Sequence, residues 1–177
     1  MRAVDVWSSE DTMRAVRDLM GSAFPEDERM PVDQLVGTAR SNPAEFKAFY
    51  DDGEFCGFAL WMWRGSVTYL LYLAVSPAMR SKGIGGKIVD HLKADRPGDK
   101  ILLEMQSMSV ECDNRPQREA RLRFYERHGF HQTGVRTRDA GVVYDVLCSN
   151  GDTTDLDECR ELFGSLPGIS LGEIEVF

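Results

Sequence analysis

Apolar and polar positions divide the chain into short segments whose period changes between 3.6 and 2. Residues 1–8 set Ala3, Asp5 and Trp7 against Val4 and Val6, which predicts a first strand. Ser8 or Ser9 then caps a helix over residues 10–23, with Met13, Val16, Leu19 and Met20 inward. Pro25 stops it, and the acidic stretch PEDER, residues 25–29, leads to a second helix that turns Leu35, Val36 and Ala39 inward and ends at Asn42 and Pro43. The period then becomes two. Phe46, Ala48 and Tyr50 alternate, Asp52 and Gly53 form a hairpin turn, and residues 55–63 return as a second strand. After a turn at Arg64 and Gly65, residues 69–75 are apolar or aromatic without alternation, as expected of a central strand covered on both faces.

Pro77 ends that strand, because it cannot donate to a ladder. Gly83, Gly85 and Gly86 follow, and Ile84, Ile88, Val89 and Leu92 recur at helical spacing, so the glycines sit at a helix N-terminus. Such a terminus offers unpaired N–H groups and a positive dipole end, which suit a phosphate or pyrophosphate. Two familiar phosphate loops are excluded. A P-loop needs a hydroxyl residue after its Gly-Lys, whereas Ile88 follows Gly86 and Lys87, and its first glycine would fall on Ser81. The dinucleotide fingerprint would need a third glycine at position 88. This failure, and the lack of a Mg²⁺-binding partner motif, argues against nucleotide hydrolysis.

Further along, residues 93–99 form a polar connection, Ile101, Leu102 and Leu103 open a strand ending near Gln106, and Asn114 with Pro116 starts a helix that Gly129 stops. Residues 130–136 and 141–147 complete a last strand pair. From Ser149 onward the chain is acidic, with Arg160 its one basic residue; a short helix over 155–163 ended by Gly164 and a small strand near Ile174 are expected there. The order of elements is that of an α+β domain with one sheet and helices on its faces.

The hexapeptide RSKGIG, residues 80–85, fits (R/Q)xxGx(G/A), with LAVSP before it and an amphipathic helix after it. It resembles the coenzyme A binding motif of the GNAT superfamily of acyltransferases. The stretch RFYERHGF, residues 123–130, resembles that family's helix ending in Tyr, a few residues and Gly-Phe. The resemblance covers roughly residues 1–148 and implies a GNAT-like fold, α+β, with a central mixed, mostly antiparallel sheet and helices on both faces; residues 149–177 are then an extension packed on the domain or on a partner subunit. It implies that Arg80, Ser81, Lys82, Gly83, Ile84, Gly85 and Gly86 hold the pyrophosphate of acetyl-CoA, and that backbone at Leu73, Ala74 and Val75 meets the thioester and pantetheine. It implies that Tyr125 is the acid that meets the leaving thiolate, a phenol of pKa ~10 being able to donate to a thiol of pKa ~8.5.

The chain departs from the family in two places. Arg118 and Arg121 stand where Asn and Ala are frequent before the tyrosine, and Tyr69 stands where several members have a glutamate that serves as base. Glu104 is the first candidate base, with Glu26, Asp27 and Glu28 of the acidic loop next; Glu26, Glu28 and Tyr69 are candidates to line the acceptor pocket. The implied activity is N-acetyl transfer from acetyl-CoA, as co-substrate, to a primary amine by direct attack. The alternative is a non-catalytic acyl-CoA-binding module that acts as sensor or partner subunit.

Composition narrows this further. Hydrophobic residues at 42% and charged residues at 28% fit one globular domain, and no apolar run nears the ~20 residues of a membrane span. A net charge of −8 disfavours nucleic acid and anionic membranes and favours a cationic acceptor, a small molecule or peptide. Cys56, Cys112, Cys148 and Cys159 are scattered and lack metal-ligand spacing, so free thiols and no metal are expected. Without an apolar leader at the N-terminus, cytoplasm is the expected location; a homodimer through the acidic tail is left open.

Overall fold

The structure is a computed structural model that describes residues 1–110, 113–139, 141–150, 153–165 and 175–177. Chain contacts divide it into two units, residues 1–63 with 70–98, and residues 64–69 with 99–177.

The first unit begins with β1 (Arg2–Asp5), a single 3₁₀ turn, and α1 (Glu10–Ala23). Ser9 is the cap, its hydroxyl accepting from the Thr12 N–H at 3.1 Å. Val16, Leu19 and Met20 are buried as the period requires, whereas Met13 is only half-buried and Thr12 takes an inward place, its hydroxyl bonded to the Tyr50 phenol at 2.9 Å. The acidic loop forms one 3₁₀ turn, Glu26–Glu28, before α2 (Val32–Ser41). Then come β2 (Ala44–Asp51), β3 (Glu54–Arg64) and β4 (Val67–Val75); the order within this unit is β1-β2-β3-β4. Asp52 and Gly53 both have positive φ, 48° and 84°, as a tight hairpin demands. On one face of this sheet Phe46 and Phe58 meet edge to face at 5.9 Å, and on the other the buried Phe49 meets His91 edge-on at 5.3 Å; the register shifts just after Phe49.

After β4 a 3₁₀ turn at Pro77–Met79 leads to α3 (Ile84–Asp95), which buries Ile84, Ile88, Val89 and Leu92. Gly57 of β3 lies hard against the end of β4: a Cβ at 57 would stand 2.2 Å from the Ala74 carbonyl oxygen. The Ser76 N–H donates to the Cys56 carbonyl at 2.8 Å, pinning the same end.

The second unit carries β5 (Lys100–Gln106), α4 (Arg115–Arg127), β6 (Phe130–Asp139), β7 (Val142–Ser149), α5 (Leu156–Ser165) and β8 (Glu175–Val176), with strand order β5-β7-β6-β8 and antiparallel pairing throughout. Two expectations are corrected. Gly164 does not stop α5, which continues to Ser165, and β6 runs three residues past Arg136 because it pairs with both β7 and β8. Ile174, expected near the last strand, lies outside the described residues, as does Cys112. Cys56, Cys148 and Cys159 are buried free thiols. No helix among the described residues is long and apolar enough to cross a membrane.

The close approach of β3 to β4 generates a prediction. Gly57→Ala must push the Ala74 carbonyl aside, so thermal unfolding should show a loss of about 1–3 kcal/mol. An unchanged Tm would mean that β4 yields freely at this point.

Candidate active site

In the first unit the candidate cofactor residues form one continuous turn. Ser81 and Gly83 adopt positive φ of 62° and 75°, and Gly83 is the N-cap of α3. Its carbonyl accepts the first helical bond, from the Lys87 N–H at 3.2 Å, and no side chain caps the helix. The N–H groups that begin the helix, at Ile84, Gly85 and Gly86, therefore have no intrahelical acceptor, and they sit at the positive end of the helix dipole. A negatively charged phosphate oxygen matches that need. Arg80, Ser81, Lys82 and Gly83 are all exposed, while Ile84 and Gly86 face the core. The Arg80 guanidinium Nε lies 3.4 Å from the Val75 carbonyl, and Lys82 Nζ rests 3.7 Å from the Met79 sulfur, so both cations stay beside the turn. Leu73 and Val75 are half-buried and Ala74 is buried. The acidic loop belongs to this unit too: Glu26 is exposed, Glu28 is half-buried, and the Tyr72 hydroxyl donates to the Glu28 carbonyl at 2.7 Å. Burial is the main reason the Tyr72 phenol is pushed up to about 12, so it keeps its proton and holds the loop.

The second unit brings together two residues that the sequence had set in different roles. The Tyr69 hydroxyl donates to Glu104 Oε2 at 2.6 Å, and the Thr137 hydroxyl donates to Glu104 Oε1. Burial pushes the Glu104 carboxyl up, the two hydroxyls pull it down, and Asp139 pushes it up again. The position that lacks a carboxylate thus supplies a donor to the carboxylate one strand on. Thr137 went unnoticed in the sequence, since only the pairing of β6 with β7 carries it to this carboxylate.

Tyr125 is the one buried residue of α4, 8% exposed. Burial raises its phenol pKa, and Arg121, one helical turn earlier, opposes that rise. The phenol therefore remains a proton donor. Its ring packs edge-on to Phe130 at 5.6 Å, which the Gly129 turn with φ of 81° makes possible. Arg118, the other departure from the family pattern, clamps the loop after β5: its Nη1 donates to the Ser107 carbonyl at 2.7 Å and its Nε to Asn114 Oδ1 at 2.8 Å. Asp145 holds the same loop, accepting from the Ser107 hydroxyl at 2.8 Å and the Met108 N–H at 3.1 Å. His91 packs edge-on to Phe49, a structural place. Among the described residues no cluster of His, Cys, Asp or Glu is placed to hold a metal ion.

The family described as acetyltransferase (GNAT) domain matches residues 33–132, more than half of the chain. The chain belongs to the GNAT acetyltransferase family. Solved structures agree on the fold. A GNAT-family protein from Bacteroides thetaiotaomicron superposes with a TM-score of 0.73 at 20% identity, covering 97% of this chain and 99% of the other. An aminoglycoside 6'-N-acetyltransferase complexed with coenzyme A gives 0.65 at 18% identity, over 88% of this chain and 99% of the other. The ribosomal-protein-S18-alanine N-acetyltransferase from Escherichia coli gives 0.63 at 15% identity, over 87% and 96%. These identities carry the fold and not the substrate. No curated protein matches the chain.

The raised Glu104 carboxyl has a consequence for stability. Because Glu104 binds its proton more tightly when folded than at the ordinary value of 4.5, the folded state holds more protons than the unfolded one as pH rises from 4.5 toward the raised value. Stability falls across that window. Denaturant unfolding of wild type and Glu104→Gln, followed upward from pH 4.5, should show the wild type losing stability relative to the variant as pH rises. Parallel curves would contradict the assignment.

Proposed function

We propose that the protein is an N-acetyltransferase that moves the acetyl group of acetyl-CoA to a primary amine by direct attack, without a covalent enzyme intermediate. The carrying observation is the Glu104 carboxylate, gripped by two hydroxyls and raised by burial. An amine is mostly protonated near neutral pH, and a base with a raised pKa is suited to remove that proton, directly or through water.

The other roles follow from the chemistry of each group. The unpaired amides that open α3, with Arg80 and Lys82 beside them, suit the pyrophosphate of the donor. Backbone of Leu73, Ala74 and Val75, kept within reach by Gly57, suits the thioester carbonyl and pantetheine amides. Tyr125, kept protonated by burial, donates to the sulfur as the thiolate leaves. The acidic loop, with Glu26 and Glu28, and the net charge of −8 favour a cationic acceptor.

Release of CoA thiol from acetyl-CoA, measured with a panel of polyamines, aminoglycosides and peptides, tests the reading. At least one amine should stimulate release, and Tyr125→Phe should lower kcat by roughly 10²-fold while leaving CoA affinity unchanged. Tight CoA binding with no release for any amine would favour the sensor reading instead.

A further inference from the structure

The segment after Ser149 lies outside the matched family region, yet it meets both residues whose hydroxyls bond Glu104, one by its ring and one by its backbone. On one side, α5 buries Cys159, Leu162 and Phe163, and the Phe163 ring stands edge-on to the Tyr69 ring at 5.3 Å and 87°. Tyr69 is 3% exposed, so this contact fixes where its hydroxyl points. On the other side, Thr137 sits directly opposite Val176 in the pairing of β6 with β8. The Arg136 and Phe177 backbones exchange two hydrogen bonds of 2.9 Å next to it. The edge of β6 is thereby paired at the residue that bonds Glu104 Oε1.

We propose that this C-terminal segment is a positioning device for the base: α5, through Phe163, and β8, through the Thr137 backbone, hold the two hydroxyls that set the charge state of Glu104. The inference deepens the acetyltransferase reading and rests on it for the function of Glu104, although the positioning itself is a property of the free protein. Among the described residues, the other ionisable groups toward Glu104 are Asp139 on β6, Tyr144 and Cys148 on the same face of β7 by register, His131 of β6 opposite Cys148, and Cys159 on α5, whose thiol is raised by burial first and also by the Glu104 charge. Asp139 pushes Glu104 up, so the hydroxyls are what oppose burial and the neighbouring charge.

Direction separates this role from simple shielding. If Phe163 merely excluded water, trimming it would hydrate Glu104 and lower the pH at which it titrates. If it acts by aiming the Tyr69 hydroxyl, trimming it weakens a bond to the ionised form and raises that pH.

The test is the carboxyl ¹³C titration of Glu104, followed by NMR in the full chain without substrate, for wild type, Tyr69→Phe, Phe163→Leu and the double variant. Phe163→Met, which alters shape with less loss of volume, serves if the leucine variant does not fold. The midpoint should rise by roughly one pH unit in Tyr69→Phe, since a hydrogen bond to a charged group is of that order. It should rise less in Phe163→Leu and no further in the double variant than in Tyr69→Phe alone. A fall or no change in Phe163→Leu, or a double variant that shows the sum of both shifts, overturns the proposal. Full turnover by Glu104→Gln, alongside the expected midpoints, would remove the base role and leave the positioning standing.

Discussion

An α-helix must leave its first amides without an internal acceptor, and α3 leaves them without a side-chain cap as well. Much of the first unit can be read as the means of holding that terminus open. Pro77 ends β4, the left-handed residues Ser81 and Gly83 turn the chain, and the burial of Ile84, Ile88, Val89 and Leu92 fixes the helix axis. The amides are anchored to the core while the preceding loop stays exposed. Gly57 adds the second half, because only the absence of a side chain lets the end of β4 approach so closely.

The second unit sets opposing influences on one carboxyl group, that of Glu104. Burial favours the neutral acid, and two hydroxyl donors oppose it. The net effect holds the carboxyl above its ordinary value. At Tyr125 burial likewise raises the phenol, and Arg121 limits how far.

Much of this was legible in the sequence, and the reasons are local. RSKGIG declared its turn because proline, glycine and helical spacing each act within a few residues, and α1 and α4 follow their cap and stop residues closely. What the sequence could not show depends on pairing between distant strands. Thr137 has no local feature that marks it, and its bond to Glu104 exists only through the register of β5, β7 and β6. At Tyr69 the sequence shows only the lack of a carboxylate, since nothing nearby in the chain reveals that its hydroxyl reaches a carboxylate 35 residues later. The use of Arg118, whose guanidinium clamps the β5–α4 loop, is equally invisible in a local departure from the family pattern.

The central claim is that the open start of α3 is where the donor's phosphates bind, and backbone amide hydrogen exchange tests it most directly. Adding acetyl-CoA should slow exchange at Ile84, Gly85 and Gly86, with a smaller effect at Leu73, Ala74 and Val75, and leave α1 unaltered. Saturating acetyl-CoA with no added protection at the start of α3 would contradict the account.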